Sequence, residues 1–101
     1  MLVVHATFPI DPDRREDARE LIHELAASSR AEDGVLEYRV ATDIDDENLF
    51  RFFEQYEDDA AFAAHAETEH LERFAAALPD LLAGEPEVTR FDVESATDVE
   101  L

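Results

Sequence analysis

The residues best suited to proton chemistry lie close together in one stretch of this chain, residues 49–74. Glu54 and Tyr56 alternate along a predicted strand and therefore share one of its faces, and His65 and His70 follow in a segment with helical spacing. A neutral imidazole can act as a general base or steer a substrate hydroxyl near neutral pH. His65 is therefore the leading candidate for a catalytic residue. The alternative is a histidine that only packs against the helix surface.

The two histidines are expected to act separately rather than as ligands of one metal ion. Residues five positions apart in a continuous helix are separated by about 140° around its axis, whereas helical histidine pairs that bind a metal are four apart. The chain also has no cysteine, no ligand cluster typical of iron sites and no glycine-rich phosphate loop. The sequence therefore predicts neither a metal site nor a cofactor. His5 and His23 belong to no motif and are interpreted as structural.

The predicted strand over residues 49–56 carries apolar side chains on both of its faces. Aromatic residues favour strands, and successive side chains point to opposite faces of the sheet. Because both faces are apolar, we expect helices to cover one side and a second copy of the chain to cover the other. One face is formed by Phe50, Phe52, Glu54 and Tyr56, and the other by Leu49, Arg51, Phe53 and Gln55.

A second predicted strand, residues 35–42, precedes this one and is joined to it by a short polar turn. Two adjacent strands connected in this way should form an antiparallel hairpin. If the pairing is symmetrical about the turn, Tyr38 lies opposite Glu54 and Leu36 lies opposite Tyr56. Two phenols, a carboxylate and the histidine-bearing helix would then surround one space between the sheet and the helices. The alternative is that these aromatic side chains only fill the core.

The remaining elements complete a β-α-β-β-α-β order, the ferredoxin-like α+β pattern of an antiparallel sheet with its helices on one face. Residues 1–93 are predicted to form a single domain, followed by an acidic C-terminal tail over residues 94–101. The remaining elements are strands over residues 2–8 and 86–93, a helix capped near Asp11 and Pro12, and a helix over residues 60–82 that Pro79 should kink or break.

The charge balance excludes several classes of partner. Acidic residues number 27 against eight basic residues, all of them arginine, which gives a net charge of −19. Nucleic acids and anionic membranes both require positive charge on the protein, so we expect neither as a partner. No segment is long and apolar enough to span a bilayer, and no signal peptide is predicted. Scattered excess acid without lysine is typical of a salt-adapted cytoplasmic protein, because concentrated salt screens the self-repulsion.

Two segments of the chain resemble the antibiotic biosynthesis monooxygenase family, a family of small oxygenases that need no cofactor. The first is E-x-Y-E-D-x-A-A-F-x-A-H-x-x-T-x-H-x-x-x-F, from Glu54 to Phe74, and the second is SSRAEDGVLEYRV, from Ser28 to Val40. The likeness extends over roughly residues 2–93. It implies a homodimer that forms an α+β barrel. Tyr56 departs from the family pattern, which has tryptophan at this position.

The resemblance implies a cofactor-independent monooxygenase that acts on a quinol or a similar small aromatic substrate with molecular oxygen. An electron-rich phenol can reduce oxygen itself once it is deprotonated, so the protein needs an apolar pocket, a base and a hydrogen bond that holds the substrate. The expected catalytic residues are His65, Tyr56 and Glu54. The expected pocket residues are Tyr38, Phe62, His70 and Phe74.

Two other functions remain open at this stage. One is an isomerase of a small phosphorylated carbonyl compound, which would need cations in the pocket, and the only strand arginines are Arg39, Arg51 and Arg90. The other is a small-ligand-binding dimer without turnover. Haem degradation is less favoured, because related haem-degrading proteins use an asparagine on the first strand and a tryptophan, and this chain has neither at those positions.

Overall fold

The computed structural model describes all 101 residues. Its strands follow the predicted order and form one antiparallel sheet, β2-β3-β1-β4, which is the ferredoxin-like arrangement expected from the sequence. No helix has the length and apolarity needed to cross a membrane. The elements are β1 Leu2–Pro9, a 3₁₀ helix Pro12–Arg14, α1 Arg15–Arg30, β2 Val35–Asp43, β3 Asp46–Tyr56, α2 Asp59–Ala66, α3 Glu69–Leu81 and β4 Glu87–Asp92.

The alternation of side chains along β1 and β3 decides which face of the sheet is buried. On both strands every second residue lies beneath the helices, as the period of two requires. On the opposite face Phe53 is 39% exposed and Phe91 of β4 is 49% exposed. The buried residues are Leu2, Val4, Ala6 and Phe8 of β1, Ile10 directly after it, Tyr38 of β2, Phe50, Phe52, Glu54 and Tyr56 of β3, Ala18, Ile22, Leu25, Ala26 and Ser29 of α1, His65 of α2, and Phe74 and Leu81 of α3.

Aspartate side chains cap two of the helical segments, and the first of these caps was predicted near Asp11 and Pro12. The Asp11 carboxylate accepts the backbone N–H of Asp13 over 2.9 Å, and Pro12 begins the 3₁₀ helix. Asp58 accepts the backbone N–H of Ala61 over 2.8 Å at the start of α2. Each cap satisfies an N–H that has no partner inside the helix.

The helix that follows β3 is interrupted at a place the sequence did not predict. We expected a break at Pro79, but α3 continues through that residue to Leu81. Pro79 lies in the last turn, where its missing N–H removes one hydrogen bond close to the natural end of the helix. The interruption falls between α2 and α3, where Thr68 becomes an N-cap and accepts the backbone N–H of Leu71 over 3.3 Å. The two histidines are therefore on different helices.

The hairpin of β2 and β3 has the predicted register at its centre and a different register at its end. Tyr38 pairs with Glu54 as expected. A bulge then shifts the pairing, so that Val35 and not Leu36 lies opposite Tyr56. An extra residue in one strand reverses which side chains point inwards, and Leu36 is consequently 54% exposed.

Candidate active site

A cavity of about 180 Å³ lies between the inner face of the sheet and helices α2 and α3. Nine of its eleven lining residues are hydrophobic, and the two others are Glu54 and His65. Val88 of β4 also lines the cavity and is 63% exposed, so the cavity reaches the surface beside this strand. Of the predicted site residues, the cavity is lined by Tyr38, Glu54, Phe62, His65 and Phe74 but not by Tyr56 or His70.

Tyr56 contacts Glu54 instead of the cavity. Its hydroxyl donates a hydrogen bond to Oε1 of Glu54 over 2.5 Å, and both side chains are buried. Burial raises the pKa of the Glu54 carboxyl, while the Tyr56 hydroxyl and the nearby His65 oppose that shift. Burial also raises the pKa of Tyr56, and the charge of Glu54 raises it further. Tyr56 is therefore a neutral phenol that orients the carboxylate.

Tyr38 is the second buried phenol, and its ring lies between β2 and α2, the helix that carries His65. Burial, and after it the charge of Glu54, raises the pKa of its hydroxyl well above the ordinary value. The ring centroids of Tyr38 and Tyr56 each lie 5.5 Å from that of His65. The imidazole is thus enclosed by two neutral aromatic side chains.

His65 is held by a carboxylate that the sequence analysis did not assign to the site. Its Nδ1 lies 2.8 Å from Oε2 of Glu32, a residue of the turn between α1 and β2. A carboxylate can only accept, so the proton of the neutral imidazole lies on Nδ1 and the lone pair lies on Nε2. This is the protonation state that a general base requires. Glu32 belongs to the segment SSRAEDGVLEYRV, which is the only signal in the sequence that could have drawn attention to it.

His70 lies beside His65 in the folded chain. Its Nε2 is 2.7 Å from the same Glu32 oxygen, and the centroids of the two imidazoles are 6.1 Å apart. The prediction that one continuous helix separates the two histidines is wrong, because they lie on α2 and α3. The break before Thr68 turns α3 relative to α2 and brings the two rings together.

None of the strand arginines lines the cavity. Arg39 forms an ion pair with Glu37, and Arg51 donates to Asp43 over 2.8 Å. Arg90 donates to Asp59 and Asp92, and its guanidinium lies 5.8 Å from the centre of the Phe62 ring. The three strand arginines are therefore paired with acids outside this cavity.

Comparison with known proteins identifies close relatives. The sequence model of the family described as "Antibiotic biosynthesis monooxygenase" matches residues 1–77. The chain is 32% identical over 93 residues to "Putative monooxygenase YcnE" of Bacillus subtilis, an alignment that covers 92% of this chain and 98% of that protein.

Solved structures are similar to this chain over nearly its whole length. The crystal structure of PA3566 from Pseudomonas aeruginosa is 34% identical, with a TM-score of 0.85, and the alignment covers 93% of this chain and 94% of that one. A structure from Deinococcus radiodurans, 23% identical, has a TM-score of 0.92 with 99% of both chains covered, which shows the shared fold.

Proposed function

The chain belongs to the antibiotic biosynthesis monooxygenase family, and from this premise we propose that it oxygenates a small quinol or similar phenol without a bound cofactor, with His65 as the general base. One observation carries the proposal. Glu32 holds the Nδ1 proton of His65, which leaves Nε2 as an acceptor on a residue that lines an apolar cavity.

The dimensions of the cavity favour a substrate with one aromatic ring. An apolar protein cavity of about 150 Å³ can bind benzene, and the cavity here has a volume of about 180 Å³. Phe62 and Phe74 supply apolar walls, and the exposed Val88 marks the side from which a ligand would enter. A single quinol ring and a molecule of oxygen are matched to this space better than a nucleotide or a flavin.

Proton removal from the substrate is the step assigned to His65. A substrate hydroxyl beside Nε2 transfers its proton there, and the Glu32 carboxylate stabilises the imidazolium that forms. Glu54 lines the same cavity and accepts a hydrogen bond from a second hydroxyl of the substrate. The Tyr56 hydroxyl, which does not line the cavity, orients the Glu54 carboxylate by donating a hydrogen bond to it. Tyr38 is neutral and lines the cavity from β2.

The reaction balances without an external reductant. The deprotonated quinol supplies four electrons to one molecule of oxygen. One oxygen atom is bonded to a ring carbon, and the other leaves as water with the two hydrogens that the quinol loses as it becomes a hydroxyquinone. The protein contributes orientation, a base and exclusion of water, and these are the effects that positioned groups in a dry cavity supply.

Oxygen uptake by chelator-treated protein with a reduced single-ring quinol tests the proposal, after correction for autoxidation of the quinol. His65→Ala should lower the rate by roughly 10²–10⁴-fold, the usual contribution of a positioned acid–base group. His23→Ala is the matched control, because His23 is exposed on α1 and does not line the cavity. Its rate should equal that of the wild type.

Two results would contradict the proposal. A folded His65→Ala variant with wild-type uptake would remove His65 as the base. Wild-type protein with no uptake above background across several quinols would favour the small-ligand-binding dimer. The isomerase alternative has less support, because no arginine lines the cavity to bind a phosphate group.

The proposal includes a homodimer adapted to high salt. Phe53 and Phe91 remain exposed on the outer face of the sheet, and a second sheet packed against this face would bury them. The net charge of −19 opposes association in dilute buffer and is screened in concentrated salt.

A further inference from the structure

We propose that Glu32, His65 and His70 form a binding site for one divalent transition-metal ion, and that an ion bound there stops His65 from acting as a base. One nitrogen from each imidazole and one oxygen of the carboxylate all lie within 4.8 Å of one another. The evidence for the metal site is this geometry alone. The effect of a bound ion on turnover depends on the function proposed above.

The chemistry of the three ligands selects the class of ion. Two imidazole nitrogens and one carboxylate oxygen form a set that suits Zn²⁺, Co²⁺ and Fe²⁺, whereas Mg²⁺ and Ca²⁺ prefer oxygen ligands alone. The three ligands come from three separate places in the chain, the α1–β2 turn, α2 and α3. A bound ion would therefore connect three elements of the fold.

The ligands need to move little to bind an ion. The two imidazole nitrogens now lie 2.8 Å and 2.7 Å from Oε2 of Glu32. In a tetrahedral zinc site each ligand atom is about 2.0–2.2 Å from the metal, which places the ligand atoms about 3.3 Å from one another. Insertion of the ion therefore replaces two hydrogen bonds and lengthens each nitrogen–oxygen distance by about half an ångström. The two imidazole nitrogens, which lie within 4.8 Å of each other, must also adopt this spacing of about 3.3 Å.

The surrounding structure holds the ligands in place before an ion arrives. The exposed fractions of the side chains are 3% for His65, 13% for Glu32 and 20% for His70. Thr68 fixes the angle between the two histidine-bearing helices, because its backbone N–H and its hydroxyl both donate to the carbonyl of His65, over 3.2 Å and 2.8 Å. The net charge of −19 also attracts a divalent cation from a distance.

Metal binding changes what His65 presents to the cavity. A metal ion needs the lone pair of Nδ1, so the proton that Nδ1 donates to Glu32 must leave this atom. In a neutral imidazole that proton then resides on Nε2, which becomes a donor and can no longer accept a proton from the substrate. The same tautomer exchange occurs in His70. With both rings neutral, no proton is lost overall, and the base is inactive while the ion is bound.

Cobalt binding tests the site without reference to turnover. Co²⁺ titrated into chelator-treated protein in excess Mg²⁺, which occupies exposed carboxylates, should give visible absorption bands typical of four or five ligands, saturating at one ion per chain. Zn²⁺ should displace it. Removal of a group that hydrogen-bonds to a metal ligand commonly weakens metal affinity 10–100-fold. Removal of a ligand itself, in His70→Ala or Glu32→Gln, should therefore weaken Co²⁺ binding by at least about 100-fold.

His23→Ala again serves as the control and should bind Co²⁺ like the wild type, because His23 lies outside the cluster. Zinc should also lower oxygen uptake by the wild type and leave the uptake of His70→Ala at its own metal-free rate. Equal Co²⁺ spectra and affinities in the wild type and His70→Ala would overturn the metal site.

The remaining outcomes separate the site from the function. Tight, His70-dependent binding in a protein that shows no uptake with or without zinc supports the site and contradicts the monooxygenase proposal. Tight binding with uptake unchanged by zinc overturns the effect on His65, because the metal-bound tautomer would then still support turnover.

Discussion

The hydroxyl of Tyr56 donates a 2.5 Å hydrogen bond to the carboxylate of Glu54, two residues earlier on the inner face of β3. Only Glu54 of this pair lines the cavity. Tyr56 stands where the resemblance implies a tryptophan, so the donor to Glu54 at this position is a phenol in this chain.

Tyr56→Phe should destabilise the fold by about 1–3 kcal/mol, because it leaves a buried carboxylate oxygen without its donor. The ring is retained, so its packing on Phe62 at 5.1 Å between centroids is unaffected. Tyr38→Phe is the comparison, since it removes a buried hydroxyl that does not bond Glu54. Denaturant unfolding of the three proteins measures the difference, and equal losses in both variants would argue against a special Tyr56–Glu54 bond.

Glu54→Gln should change the pH dependence of stability. Burial raises the pKa of Glu54 in the folded chain above the ordinary value of 4.5. Between the ordinary pKa of the unfolded chain and the raised pKa of the folded chain, the folded state binds more protons than the unfolded state. The stability contributed by Glu54 therefore falls as the pH rises through this window. The free energy of unfolding of the wild type relative to Glu54→Gln should thus decrease as the pH rises from the ordinary value of 4.5 through the raised pKa of Glu54. A constant or increasing difference would contradict the raised pKa.

Gly34→Ala should destabilise the protein by about 2–6 kcal/mol, the sum of a left-handed backbone penalty and overpacking. Gly34 has φ +84°, and a Cβ there would lie 2.6 Å from Cβ of Ala61. Gly84 is the matched control, because it lacks a positive φ and a Cβ there would lie 3.5 Å from its nearest neighbour. Thermal unfolding should separate the two variants, and a Gly34→Ala melting temperature as high as that of Gly84→Ala would refute the close approach of α2.

Phe53→Arg should convert the proposed dimer to a monomer. Phe53 and Phe91 lie on the outer face of the sheet, and obligate interfaces of this kind commonly bury about 2,000 Å² or more. Light scattering in high salt should give twice the chain mass for the wild type and the chain mass for the variant. Ile44→Arg changes a residue that is 97% exposed in the hairpin turn and should remain dimeric. A monomeric wild type at micromolar concentration would exclude the interface.

Removal of salt should lower the melting temperature and the dimer fraction together. The 27 acidic residues repel one another, and the Debye length grows from about 3 Å at 1 M salt to about 30 Å at 0.01 M. Thermal melts and light scattering across this range of KCl concentrations provide the measurement. Unchanged values at both ends of the range would contradict adaptation to salt.

The sequence by itself determined the features that depend on local periodicity. Alternation along β3 predicted which of its side chains share a face, because a strand reverses its side chains at each residue. The short turn predicted the pairing of Tyr38 with Glu54. These residues lie within about twenty positions of one another, so the geometry of one hairpin was enough to place them.

Only the tertiary structure decided the surroundings of His65. The apolar pattern of residues 60–82 is compatible with one continuous helix, and the position of its break depends on Thr68 capping α3 while both helices pack on the sheet. Glu32 lies 33 positions before His65 and reaches it because the α1–β2 turn is next to α2 in space. The periodicity of a helix or strand relates only residues that are close in sequence. The carboxylate that sets the tautomer of His65 is therefore identified only in the folded chain.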